Sequence, residues 1–173
     1  MLNRTMTIGA IFAMLGILLG FSLGGAFGAR EEAIKAKLDA SGTAVLATVY
    51  GGDVEKKDAV VGRSWAYLQR AHLHGGAIGT AALASILALA LVCRAGMLAN
   101  LSALAFGLGA ILYPLFWLMA AFRAPELGGT GAAKESLQWL AVPGAGLAIT
   151  GAVGTLLSIV RAGFGSARGP GRA

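Results

Sequence analysis

Four stretches of the chain contain no Asp, Glu, Lys or Arg: Thr7 to Gly28, Ala71 to Cys93, Ala95 to Phe122 and Ser136 to Val160. Each is long enough to cross a bilayer, whose core of about 30 Å needs roughly 20 helical residues. In lipid every backbone N–H and C=O must find a partner within the protein, so only helices and closed barrels span. These runs are continuously apolar, without period-two alternation, which selects helices over barrel strands. The expected spans are about 7–28, 71–93, 97–122 and 136–160, within one membrane domain covering residues 1–173. The expected fold is an all-α integral membrane protein, a four-transmembrane-helix bundle with a small extracytoplasmic cap between the first and second helices.

Composition narrows the function classes. Of 173 residues 57% are apolar and 13% charged, against about 25% charged in a soluble domain. A single Cys excludes a disulfide-stapled secreted domain. So apolar a chain is not a disordered tail, nor a nucleic-acid binder built on basic patches. The first span has Arg4 before it and Ala26-Phe27-Gly28 near its end, the layout of a secretory signal peptide. Its apolar run exceeds the roughly 7–15 residues of a signal h-region, so an uncleaved span is expected.

Charge gives an orientation. Arg4, Arg94, Arg161, Arg168 and Arg172 stand on one side with no acid among them. The other side is balanced, with Lys and Arg from Arg30 to Arg70 interspersed with acids, and Arg123, Glu126, Lys134 and Glu135 between spans three and four. The positive-inside rule then puts both termini in the cytoplasm of a bacterium and the loop from Ala29 to Arg70 outside the inner membrane. The net charge of +6 is thereby mostly an orientation signal.

That 42-residue loop is too long for a simple turn. Arg30 to Leu38 reads as a helical extension of span one, with Glu31 four residues before Lys35. Ser41 to Tyr50 is rich in β-branched residues and reads as extended. Gly51-Gly52 is a break, and a helix starting near Asp53 runs into span two.

Span one carries Gly16, Gly20, Gly24 and Gly28 at four-residue spacing, and span two carries Gly75, Gly76 and Gly79. Small residues in a stripe let helix backbones approach closely, which in lipid takes the place of a hydrophobic drive. The two stripes are expected partners, with homo-oligomerisation or approach to a flat cofactor as the alternatives. Pro114 and Pro143 are expected to kink spans three and four. Trp117, Phe122 and Trp139 read as an interfacial aromatic belt.

Both histidines of the chain fall in Arg70-Ala71-His72-Leu73-His74-Gly75-Gly76, at the start of span two. Ionisable groups inside a span are costly and face an interior or a polar cavity. At 100° per residue the two imidazoles stand about 200° apart on a helix, unlike the i, i+4 pair of a helical zinc site. They suit two different partners rather than one metal. His72 shares its face with the glycines; His74 shares its face with Ala77, Ile78, Ala81 and Ser85. Arg70, Tyr113, Arg123, Lys134, Glu135 and Gln138 are expected to line the same outer layer. Three uses stand open for this layer: plain hydrogen bonding at the interface, ligation of haem b or copper, and binding of a quinone or lipid headgroup. No CxxC pair, phosphate-binding GxxxxGK[ST], GxSxG serine or intramembrane acid is present. Cys93 reads as a small interior residue.

The glycine-rich first span ending Gly28-Ala29-Arg30-Glu31, followed by Ala71-His72-Leu73-His74 with glycines behind it, resembles small bacterial membrane proteins related to subunit I of haem-copper oxidases. In that superfamily, transmembrane histidines hold haems and copper, and a His-x-His pair can serve two cofactors on opposite faces. The resemblance implies His72 as first haem ligand and His74 as second. It covers the first two spans. An oxidase subunit I spreads its histidines over several helices, whereas this chain has two on one helix. The resemblance therefore implies an accessory or electron-transfer-associated subunit rather than an oxygen-reducing enzyme. A second axial ligand would come from Met14, Met97, Met119, solvent or another subunit. The alternatives are a structural or assembly protein without cofactor, and a quinone- or headgroup-binding subunit. The expected partners are the bilayer and a second copy or larger membrane complex.

Overall fold

Asn3 opens the first helix by accepting the Met6 N–H on its side-chain oxygen at 3.1 Å, a standard way to satisfy one of the free donors at a helix start. In the computed structural model, which describes residues 2–93 and 96–165, six helices follow: α1 Arg4–Ala44, α2 Leu46–Val49, α3 Val54–Val92, α4 Met97–Arg123, α5 Thr130–Glu135 and α6 Gln138–Gly165. No strand is present among the described residues. The expected cytoplasmic residues Arg94, Arg168 and Arg172 lie outside them. So does most of the tail.

Four of these helices, α1, α3, α4 and α6, are long and apolar enough to cross a membrane. Only between 28% and 44% of the most apolar window in each is buried within the protein. Ile11, Leu18 and Phe21 of α1 and Val142, Ile149 and Leu156 of α6 are all more than half exposed, at 51–69%. In water such surfaces would associate; they suit a lipid surround.

The interior is built from small residues. Helix α1 packs along α3 and α4, α4 along α3 and α6. One buried cluster joins Met6, Ala13, Ala82, Ile86, Leu89, Ala99, Ala103, Phe106 and Ala110. A second, further along the axis, joins Leu38, Tyr67, Leu68, Phe116, Ala120, Ala121, Leu137 and Leu140. A Cβ on Gly9 would lie 2.4 Å from the Ala103 carbonyl oxygen, and one on Gly109 would lie 2.3 Å from the Ala148 nitrogen. These are backbone-to-backbone approaches of the kind that small residues permit in lipid.

Helices α1 and α3 continue past the apolar runs as an antiparallel pair. Glu31 and Lys35 pair at 2.5 Å on the extension of α1. Asp53 caps α3 by accepting the Lys56 N–H at 2.9 Å. The chain reverses at Gly51 and Gly52, whose φ values of 64° and 85° a residue with a Cβ adopts at a cost. Where an extended segment is expected over Ser41 to Tyr50, the structure has the end of α1 and the short α2. Packing overrides the weak β preference of Thr43, Val45, Thr48 and Val49: Leu38 is buried, and Gly42 lies under the Lys57 side chain.

Helices α4 and α6 run on through Pro114 and Pro143. The non-helical backbone falls elsewhere, at Arg30 of α1 (φ −143°, ψ 26°), where the apolar run gives way to the charged extension. Tertiary contacts support α4 at its proline: Pro114 is fully buried, and Gly144, next to Pro143, would bring a Cβ to 3.0 Å from the Tyr113 nitrogen.

Candidate functional site

His72 faces α1. Its Nδ1 stands 2.7 Å from the Gly20 carbonyl oxygen; a carbonyl only accepts, so Nδ1 carries the proton and donates. The ring lies over Gly24, where a Cβ would meet Cε1 at 2.8 Å, and it meets the Phe27 ring edge-on at 5.8 Å. The glycine at position 24 is thus the notch that the imidazole fills.

Directly below, the glycine stripes of α1 and α3 close on each other. A Cβ on Gly20 would lie 2.6 Å from the Gly76 nitrogen, one on Gly75 2.8 Å from the Gly16 carbonyl oxygen, and one on Gly79 2.9 Å from the Ala13 carbonyl oxygen. Backbone fills the seam, so no slot for a porphyrin remains between these helices. Gly28 stands apart, with nothing within 4 Å of where its Cβ would be; its expected packing partner is missing because the stripe's contact with α3 ends at the His72 ring.

His74 faces α4. Its ring centroid is 5.1 Å from that of Tyr113 and 6.2 Å from that of Trp117. Trp117 is the hub of this group, also meeting Tyr67 at 4.7 Å and Phe116 at 5.0 Å. The Arg70 guanidinium lies over the Tyr67 ring at 5.2 Å and over Trp117 at 5.0 Å. Trp117 is therefore a packed ring with a cation on its face, not a free member of an interfacial belt. Trp139 is 67% exposed. Phe122 is exposed under the Lys37 ammonium, 5.6 Å away.

The expected single layer of polar residues divides. Arg70 and Tyr113 stand beside His74. Arg123 and Lys134 flank Ala124 and Ala133, which are buried with Tyr50 and Val60 at the far end of the α1–α3 extension. Twelve residues of α3 separate Val60 from His72, about 18 Å of helix. Lys134, Glu135 and Gln138 are exposed, as is Arg123, and no contact brings them to either imidazole. Sequence spacing places residues along one helix, but the height of a connection depends on where its neighbours pack.

At that far end Tyr50 donates its hydroxyl to the Pro125 carbonyl oxygen at 2.7 Å, and burial pushes its phenol above the ordinary range. Lys57, only 7% exposed, is paired with Asp39 of α1 and with Asp58 at 2.8 Å. Those hydrogen bonds, Asp39 first, raise the Lys57 ammonium above its usual value despite burial. Nothing in the local sequence marks Lys57 as the lysine that bridges the two helices; its neighbour Lys56 is exposed. A groove of about 380 Å³ between the extensions is lined by Glu32, Lys35, Asp39 and Trp65 among others. Its charges are already matched, with Lys35 paired to Glu31 and lying 5.2 Å over Trp65.

No group of three or more His, Cys, Asp or Glu able to hold a metal ion exists among the described residues. Met14, Met97 and Met119 are 45%, 79% and 38% exposed, so all three turn outward from the seam that holds His72. No family model, curated protein or solved structure matches the chain.

Proposed function

We propose that this is an accessory, non-catalytic membrane subunit of the bacterial cytoplasmic membrane: a four-helix bundle with both termini in the cytoplasm and a helical cap outside. The observation that supports this reading best is the use of His72. Its Nδ1–H joins α3 to the Gly20 carbonyl of α1 at 2.7 Å, and its ring fills the notch over Gly24. An imidazole placed so acts as a bolt between helices. The rigid core then holds the cap, and the lipid-facing surfaces are free to meet a second copy or a larger complex.

One observation favours a second reading, ligation of haem or copper. A metal-bound histidine usually donates its other ring N–H to a carbonyl or carboxylate, as His72 does, which leaves Nε2 as the coordinating atom. With no second ligand turned toward it, the other axial position would be filled by solvent or by another subunit. His72→Gln and His74→Gln separate the two. Unchanged assembly of the membrane complex and unchanged respiratory activity support the accessory role; loss of a redox signal with folding intact supports ligation.

A further inference from the structure

The aromatic group around Trp117 holds two side chains that only donate, Arg70 and Trp117 itself. Arg70 offers five N–H groups and no lone pair, and the Trp indole N–H is donor only. The Arg70 guanidinium is held over two rings, Tyr67 and Trp117, yet no carboxylate lies within ion-pair distance of it among the described residues. Trp117 Nε1 is shielded and has no hydrogen-bond partner. The rings of His74 and Tyr113 complete the wall.

Position selects the missing acceptor. Arg70 is the last charged residue before the apolar run of α3. On the reading that α3 crosses the bilayer from about residue 71, on which this inference rests, its exposed guanidinium lies where the phosphates of that leaflet lie. Guanidinium binds phosphate through paired N–H donors, and the ring faces hold the planar fork in place. A zwitterionic headgroup brings its own ammonium to the phosphate, whereas a phosphatidylglycerol-type headgroup leaves the phosphate charge uncompensated. We propose that Arg70, stacked on Tyr67 and Trp117 beside His74, forms a binding site for the phosphodiester of an anionic phospholipid.

The test uses the full chain, reconstituted in nanodiscs of equal phosphatidylglycerol and phosphatidylcholine, then transferred to mild detergent and weighed by native mass spectrometry. Retention of phosphatidylglycerol over phosphatidylcholine is expected. Arg70→Gln is expected to lower that retention about tenfold, the scale of one lost charge-assisted hydrogen bond. Arg63→Gln, another exposed arginine of α3, is expected to change nothing. Trp117→Phe, which keeps an aromatic ring beneath Arg70 but a smaller face, is expected to shift retention in the same direction by less. Circular dichroism checks that each variant is folded, and the same readout in a protein-matched titration with inorganic phosphate distinguishes the source. Equal retention of the two lipids, an unchanged Arg70→Gln, binding of inorganic phosphate without any lipid preference, or a co-purified quinone in place of phospholipid would each overturn the proposal. A failure here leaves the accessory role untouched, since that role is read from assembly and redox signals of the histidine variants.

Discussion

Nδ1 of His72 lies 2.7 Å from the carbonyl oxygen of Gly20, so a titratable side chain at the start of the apolar run of α3 is tied to the backbone of α1 within its own apolar run. Replacing His72 by Phe keeps a ring over Gly24 and removes the donor. A hydrogen bond of this kind contributes about 0.5–1.5 kcal/mol net. The thermal midpoint of His72→Phe in detergent should fall accordingly, with helix content unchanged at room temperature.

The glycine seam predicts two opposite outcomes from one type of substitution. A methyl at Gly20 has to displace the backbone around Gly76, 2.6 Å away. Overpacking of this sort costs about 1–3 kcal/mol. At Gly28 the same methyl meets open space, and alanine gains roughly 0.5–1 kcal/mol as a better helix former. Thermal unfolding of Gly20→Ala and Gly28→Ala followed by circular dichroism should move in opposite directions.

The α1–α3 extension should loosen at alkaline pH. Lys57 is held above its ordinary value of 10.5 by Asp39 and Asp58. A group whose folded pKa is raised contributes fully below the unfolded value and loses that contribution as pH rises through the folded one. Tyr50, raised above 10.0 by burial, follows the same sign, because its ionised form cannot donate to Pro125. The thermal midpoint should fall above about pH 10, and fall less in Lys57→Met. Tyr50→Phe leaves the Pro125 carbonyl unpaired and should cost about 1–3 kcal/mol below that window.

Much of this architecture is legible in sequence because lipid imposes it. Uncharged runs, the Glu31–Lys35 extension, the Gly51-Gly52 reversal and the Asp53 start each follow from local chemistry, and all four correspond to observed elements. What is not legible depends on which helix meets which. Ser41 to Val49 is helical apart from Val45 because Leu38 and Gly42 are held against α3, which no propensity records. The backbone break at Arg30 carries no proline to announce it. The seams of Gly109, Gly144 and Gly151 between α4 and α6 follow no strict four-residue spacing, so the recurrence of small residues along both spans does not by itself say which of them meet. An angle of about 200° separates two imidazoles without naming Gly20 or Tyr113 as their neighbours.

Orientation can be read by labelling. With Cys93 replaced by Ala, a single cysteine at the exposed Glu55 of the cap should react in intact cells with a maleimide that does not cross membranes. One at the exposed Arg161 should react only after the membrane is opened. The reverse pattern would place the cap in the cytoplasm and overturn the charge-based orientation.

Whether His72 is a bolt between helices or a ligand is tested most directly by the absorbance spectrum of the purified full chain, expressed with added haem precursor and copper. Wild type and His72→Gln should show the same spectrum without a Soret band and the same negligible metal content, with the variant differing only in a lower thermal midpoint. A Soret band or stoichiometric copper in the wild type that vanishes in a folded His72→Gln would contradict the bolt.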